Sequence, residues 1–180
     1  MKKNILPIFL ATVLLFAWNA FSWMVLPFHG NSLQTLPEEA LLPSHHSALA
    51  LSEGIYHYPG PDTPNLEKKL ARGPRIPFMV YIPGATTLFD PAVFLLNLCF
   101  NLATAGILLW VLQRQKDHSF FQVLVTCGAI GSIIALMSDL PLMNWYQLPL
   151  GYTLVHVADH LVGMLLCGLL LYRLCFKPQA

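Results

Sequence analysis

Charge is what this sequence has least of. Only 11% of its 180 residues are Asp, Glu, Lys or Arg, and the net charge is +1; a soluble domain carries about 25%. So neutral a chain has no electrostatic means of holding the phosphates of a nucleic acid. Cysteine is scarce too, with Cys99, Cys127, Cys167 and Cys175 the whole complement. All four fall in long apolar runs and none in a CxxC spacing, which argues against a disulfide framework or a thiolate zinc site. They read as small apolar packing residues. Nor is there a nucleophile elbow, a phosphate-binding loop or a dinucleotide fingerprint, so nothing points to an enzyme. Internal repeats and low-complexity tracts are absent, and the chain reads as a single structural unit.

What the chain has is apolar residues, 56% of the total, gathered into blocks. A hydrocarbon core about 30 Å thick takes about 20 apolar residues of helix. Four blocks qualify, at 4–26, 91–112, 119–140 and 152–176. They predict an all-α membrane protein: a four-transmembrane-helix bundle, with the lipid bilayer as its first partner and a small mixed α/β cap at 27–90 inserted between helices 1 and 2. Lys2 and Lys3 ahead of the first block resemble the start of a signal peptide. Cleavage after Ala20 would put Trp18 where a small residue is required, so the block reads as an uncleaved anchor.

Orientation follows from the basic residues. Lys2 and Lys3, Arg114 and Lys116, and Arg173 and Lys177 fall on one side of four helices, which the positive-inside rule makes cytoplasmic. The loop at 143–151 carries no Lys or Arg. Segment 27–90 then lies outside, with Lys68, Lys69, Arg72 and Arg75 and six acids.

Nine prolines in 27–90 forbid long regular elements there. Thr63 as N-cap, Pro64 at the first helical position and Gly73 at the end predict a short helix over 64–72. A second helical candidate covers 44–52. Strand-like runs at 55–58 and 78–82, each closed by Pro-Gly, could pair as a ribbon. Some 64 residues without disulfides make a marginal domain, so the segment is expected to dock as a cap on the outer helix ends.

Ionisable residues inside a membrane are costly and turn to the bundle interior. Here they cluster toward the outer side: Asn19 in helix 1, His29 just after it, Asn97 and Asn101 in helix 2, Asp139 in helix 3, and His156, Asp159 and His160 in helix 4. The inner half has only milder groups such as Thr12, Thr126 and Ser132. Asn97 and Asn101 share a face at i,i+4. His156, Asp159 and His160 share one within an arc of about 100°. Gly163 and Cys167 continue that face inward, and Cys127, Gly131 and Ala135 form a matching small ridge on helix 3, suited to close helix contact. The expected bundle is polar at its outer end and tightly closed at its inner one.

Several chemistries fit those residues. His29, Asp139, His156 and His160 could ligate a divalent metal, since His at i,i+4 chelates and Asp adds oxygen; the run lacks the Glu of a zinc protease. A bis-His haem would need His29 to face the helix-4 pair. A transporter would need polar groups through the whole depth. The bland alternative is a polar intramembrane network of Asn19, Asn97, Asn101 and Asp159 with the histidines, fixing helix register. Trp18, Trp23, Trp110 and Trp145 near helix ends suit interfacial anchors. His45 and His46 read as solvent-facing, and Asp117 or Ser119 as the cap of helix 3.

The run Phe21-Ser-Trp-Met-Val-Leu-Pro-Phe-His29, then Gly54-Ile-Tyr-His-Tyr-Pro-Gly60 and Gly73-Pro74, resembles small uncharacterised bacterial inner-membrane proteins. In these an F-x-W-x-x-L-P-[FW]-H stretch ends the first helix and a G-x-Y-x-x-P stretch follows. The resemblance covers about the first 80 residues and implies a bacterial inner membrane with 27–90 in the periplasm. It implies no activity. The expected function is that of a non-enzymatic accessory or binding protein with a membrane or periplasmic protein partner; metal binding and transport stand as alternatives, and the sequence leaves the oligomeric state open.

Overall fold

Apolar runs of this length fold as helices in the computed structural model, which describes residues 2–35, 51–83 and 90–177. In chain order the elements are α1 (Lys2–Met24), α2 (Pro27–Ser32), β1 (Gly54–Tyr58), α3 (Leu66–Arg72), β2 (Ile76–Tyr81), α4 (Pro91–Gln113), α5 (Phe120–Tyr146) and α6 (Leu150–Phe176). Where a single unit was expected, the chain divides into two. One comprises Met1–Leu33, Phe89–Asn144 and Leu148–Ala180, the other Gln34–Leu88 and Trp145–Gln147.

In the first unit α1, α4, α5 and α6 are each long and apolar enough to cross a membrane. The shortest such stretch, the 21 residues of Asn4–Met24, extends about 32 Å at 1.5 Å per residue. Their surfaces are greasy: Met137 is 78% and Phe121 74% exposed. Contiguous apolar surface on that scale suits lipid, not water, consistent with a multi-pass membrane protein.

Local chemistry sets the helix ends. Asp90 accepts from the Ala92 N–H at 2.8 Å, ahead of Pro91 in the first turn of α4. Ser119 caps α5 by accepting from the Gln122 N–H, and the Asp117 carboxylate accepts from the Ser119 N–H and hydroxyl, both at 2.8 Å. Two boundaries differ from expectation. The segment after helix 1 does not leave the bundle at Pro27, because 27–32 form α2 in the same unit. Helix 3 does not stop at 140 but runs to Tyr146 through a π-helical turn, Ala135–Asp139. Pro141 has no N–H, and its ring would strike the carbonyl four residues back in a regular helix; the wider turn just before it lets the helix continue.

α1 packs between α4 and α6, and α6 packs on α5. The core, with Ala11, Leu15, Leu109, Leu112, Cys167 and Leu171 in it, is apolar. The small ridge of α5 does meet α6 closely. A Cβ on Gly131 would lie 3.1 Å from Leu161 Cα and 3.2 Å from the His160 carbonyl oxygen. One on Gly168 would collide with Cys127 Sγ. Gly163 serves a different contact, under Trp18 of α1.

In the second unit β1 and β2 pair antiparallel, with Ile55 opposite Val80, Tyr56 opposite Met79 and a register shift before Tyr58. β2 begins two residues earlier than expected. α3 begins at Leu66, because Asn65 takes a left-handed conformation (φ 56°) and Thr63-Pro64 is spent on the turn before it. It ends as expected at Gly73 (φ 66°), whose N–H bonds the Lys69 carbonyl. The candidate helix at 44–52 falls mostly on 44–50, outside the described residues, as do His45 and His46.

Backbone on the far side of Gly131 cannot yield as a flexible side chain can. Gly131→Ala should cost about 1–3 kcal/mol by overpacking, whereas Gly128→Ala, which meets nothing within 4 Å, should not destabilise. Thermal unfolding of the two variants in detergent checks this, and equal melting temperatures would contradict it.

Candidate functional site

The polar residues of the first unit come together at one end of the helices because α1 runs antiparallel to α4 and to α6. The end of α1 therefore meets the starts of its neighbours. Pro27 opens α2 and turns the chain back, which carries His29 inward until it is only 2% exposed. There its Nε2 lies 2.8 Å from Asp159 Oδ2. Ser22 Oγ donates to the other carboxylate oxygen, Oδ1, at 2.6 Å and sits 3.3 Å from His29 Nε2. Trp23 stacks on the His29 imidazole, with ring centres 3.9 Å apart and planes 15° apart. One carboxylate on α6 thus gathers α1 and α2.

A second pair lies nearby. His160 Nε2 approaches Asp139 Oδ2 at 3.3 Å, with Asp139 buried at the end of the π turn and His160 partly exposed. Oδ2 has no aligned donor, so this is a charge contact and not a formed hydrogen bond. His156 stands within electrostatic reach of His29, His160, Asp139 and Asp159. Its ring meets those of His29 at 5.3 Å, Trp23 at 5.6 Å and Tyr152 at 4.5 Å. A third group joins α1 to α4: Asn19 Nδ2 donates to Asn101 Oδ1 at 3.3 Å, and Asn101 Nδ2 to Asn97 Oδ1 at 3.5 Å.

Hydrogen-bond direction decides what this arrangement can do. In a Ser-His-Asp triad the imidazole bridges, one nitrogen to the acid and the other to the hydroxyl. Here the carboxylate is the hub. The Ser22 proton points at Asp159, His29 uses the same nitrogen toward both partners, and His29 Nδ1 is buried without one. Ser22 is therefore not activated as a nucleophile. The four residues expected as metal ligands are divided: His29 is engaged by Asp159, His160 faces Asp139, and His156 makes ring contacts between them. Among the described residues no group of three or more His, Cys, Asp or Glu is placed to hold a metal ion. His29 and His156 touch ring against ring, which leaves no gap for a haem plane.

The network residues Asn19, Asn97, Asn101 and Asp159 do bond, to one another or to the histidines. The sequence singled out neither Ser22 nor the inward role of Trp23, which is half exposed yet packs on His29. A lone serine in an apolar run carries no signal until its partner 137 positions away is known. Trp110 keeps the expected surface position, under the Arg114 guanidinium at 5.3 Å. Comparison with family models, with curated proteins and with solved structures finds no match for this chain.

Asp159→Ala strips the acceptor from two buried donors, at about 1–3 kcal/mol for each group left unsatisfied. Asp139→Ala removes only an unaligned contact. The Asp159 variant should unfold at the lower temperature in detergent, with Asp159→Asn between it and the parent. The reverse order of Asp159→Ala and Asp139→Ala would contradict the reading.

Proposed function

We propose that this is a non-enzymatic, multi-pass protein of the bacterial inner membrane, acting as an accessory or binding protein. Its termini are cytoplasmic, and its interaction surfaces are the periplasmic segment and the outer helix ends. The observation that carries this reading is how the intramembrane polar groups are used. Ser22, His29 and Asp159 are bonded together, as are Asn19, Asn101 and Asn97, and the groove of about 300 Å³ that Ser22 and Asp159 line is otherwise walled by apolar side chains such as Trp18, Leu26, Phe28 and Leu154. Groups so committed fix helix register. The apolar core around Leu109, Leu112 and Leu171 offers no polar path, which argues against transport by one chain. The orientation rests on the one-sided Lys and Arg distribution.

The binding surface is supported by the ribbon. Ile55 and Val80 are directly opposed, 71% and 57% exposed. Apolar side chains left open together outside the membrane-spanning helices mark an interaction site. A photo-crosslinker at Ile55 or Val80 in bacterial membranes should give one discrete protein adduct that survives mild-detergent purification. One at Phe121 should give lipid adducts only. A solitary monomer with no adduct at either ribbon position would overturn the proposal. Reporter fusions should place residue 60 outside and residue 115 inside.

A second reading, a divalent-metal protein using His29, Asp139, His156 and His160, is favoured by three buried atoms without hydrogen-bond partners: His29 Nδ1, His156 Nε2 and Asp139 Oδ2. Elemental analysis of purified protein separates the two. Stoichiometric metal, lost in His156→Ala with His160→Ala, would establish it; no metal in the parent would remove it.

A further inference from the structure

Charge in the second unit is unevenly spent. From residue 68 to 83 the sequence has four cations, Lys68, Lys69, Arg72 and Arg75, and no acid. Among the described residues none of the four pairs with a carboxylate, the ion pairs there being His29–Asp159 and His160–Asp139. Arg75 gives one N–H to the neutral Gln147 Oε1 at 3.1 Å, which leaves its charge uncompensated and four of its five donors unused by that bond.

Beside this charge lies a cleft of about 400 Å³, within the range of small-molecule sites. Its walls are apolar: Tyr58 and Pro59 from the end of β1, Ile76 and Pro77 from β2, and Leu66 and Leu70 from α3. Leu66 and Leu70 are one helical turn apart, which puts both on one face of α3. Arg75 and His57 are its polar lining residues. Lys69 and Arg72 occupy the last turn of α3.

We infer that this cleft binds an anionic phospholipid, its acyl chain against Leu66, Leu70 and Ile76 and its phosphate on the Arg75 guanidinium. Two kinds of complementarity meet in one place. Apolar walls gain nothing from a bare phosphate, but remove a hydrocarbon chain from water. The only charge at the lining is positive and planar, matched to two phosphate oxygens at once. A zwitterionic lipid would bring its own ammonium toward Arg75, Lys69 and Arg72 and lose that match. Ile55 and Val80 do not line the cleft, so lipid binding and protein binding are tested at different residues.

The test uses the full-length protein in an uncharged detergent, with binding read by native mass spectrometry. The probes are dihexanoyl phosphatidylglycerol, dihexanoyl phosphatidylcholine and inorganic phosphate. The phosphatidylglycerol should be retained about tenfold more tightly than the phosphatidylcholine, the size of one charge-assisted contact of about 1.4 kcal/mol. Inorganic phosphate should not compete. Arg75→Gln should abolish the preference without changing the melting temperature, and Leu70→Asn should weaken both lipids. Equal retention of the two lipids, an unchanged preference in Arg75→Gln, or displacement by inorganic phosphate would each overturn the inference. So would preferential displacement by an acidic peptide, which would make the cleft a peptide site.

Discussion

Asp159 accepting from Ser22 and facing the His29 imidazole is the contact on which the rest of the helical unit depends. It joins three elements through one carboxylate whose two oxygens are both used. On helices apolar enough to cross a membrane, a charged or strongly polar group inside the bilayer would have no water to fall back on. The only low-energy arrangement is the one in which its partners are brought to it. That requirement explains the turn at Pro27, the short α2 and the burial of His29. It also explains why Trp23 packs on α2: with the imidazole fixed by Asp159, one of its faces is covered by the indole.

Below these polar groups the helices are held by a different force. Lipid tails are as apolar as Leu, so spanning helices gain little from hydrophobic burial against one another; they associate by close packing and hydrogen bonds. Small residues supply the first. Gly131 brings the backbone of α5 against that of α6, and Gly168 receives Cys127. The helices are thus bonded at the polar end and packed at the apolar end. The π turn at Ala135–Asp139 lies where the two regimes meet, lets α5 pass Pro141, and ends on Asp139 opposite His160.

Much of this was legible in the sequence because membrane-spanning helices obey a simple rule of length and apolarity. All four lie within a few residues of the apolar runs, except that the third continues past 140 to Tyr146 through the widened turn. The clustering of Asn19, Asn101, His29, Asp139, His156, Asp159 and His160 at one end was also readable, since antiparallel helices return each group to the same level. Pairing was not. Spacing puts His156, Asp159 and His160 on one face but does not say that Asp159 turns to α1 and His160 to α5. Ser22 could not be found at all, because a hydroxyl in a helix usually bonds back to its own turn, as Thr12 does to Ile8. In the second unit the strands and the glycine stop of α3 were plain. Its start was missed because Asn65 adopts a left-handed conformation that Thr63-Pro64 does not announce.

His29 and Asp159 act on each other to hold the polar end together. A double-mutant cycle on unfolding in detergent, with His29→Ala, Asp159→Ala and the two combined, measures that directly. The predicted coupling is about 0.6–1.7 kcal/mol, the scale that double-mutant cycles give for an interhelical hydrogen bond in a membrane protein. Additive effects, with no coupling between the two positions, would contradict it.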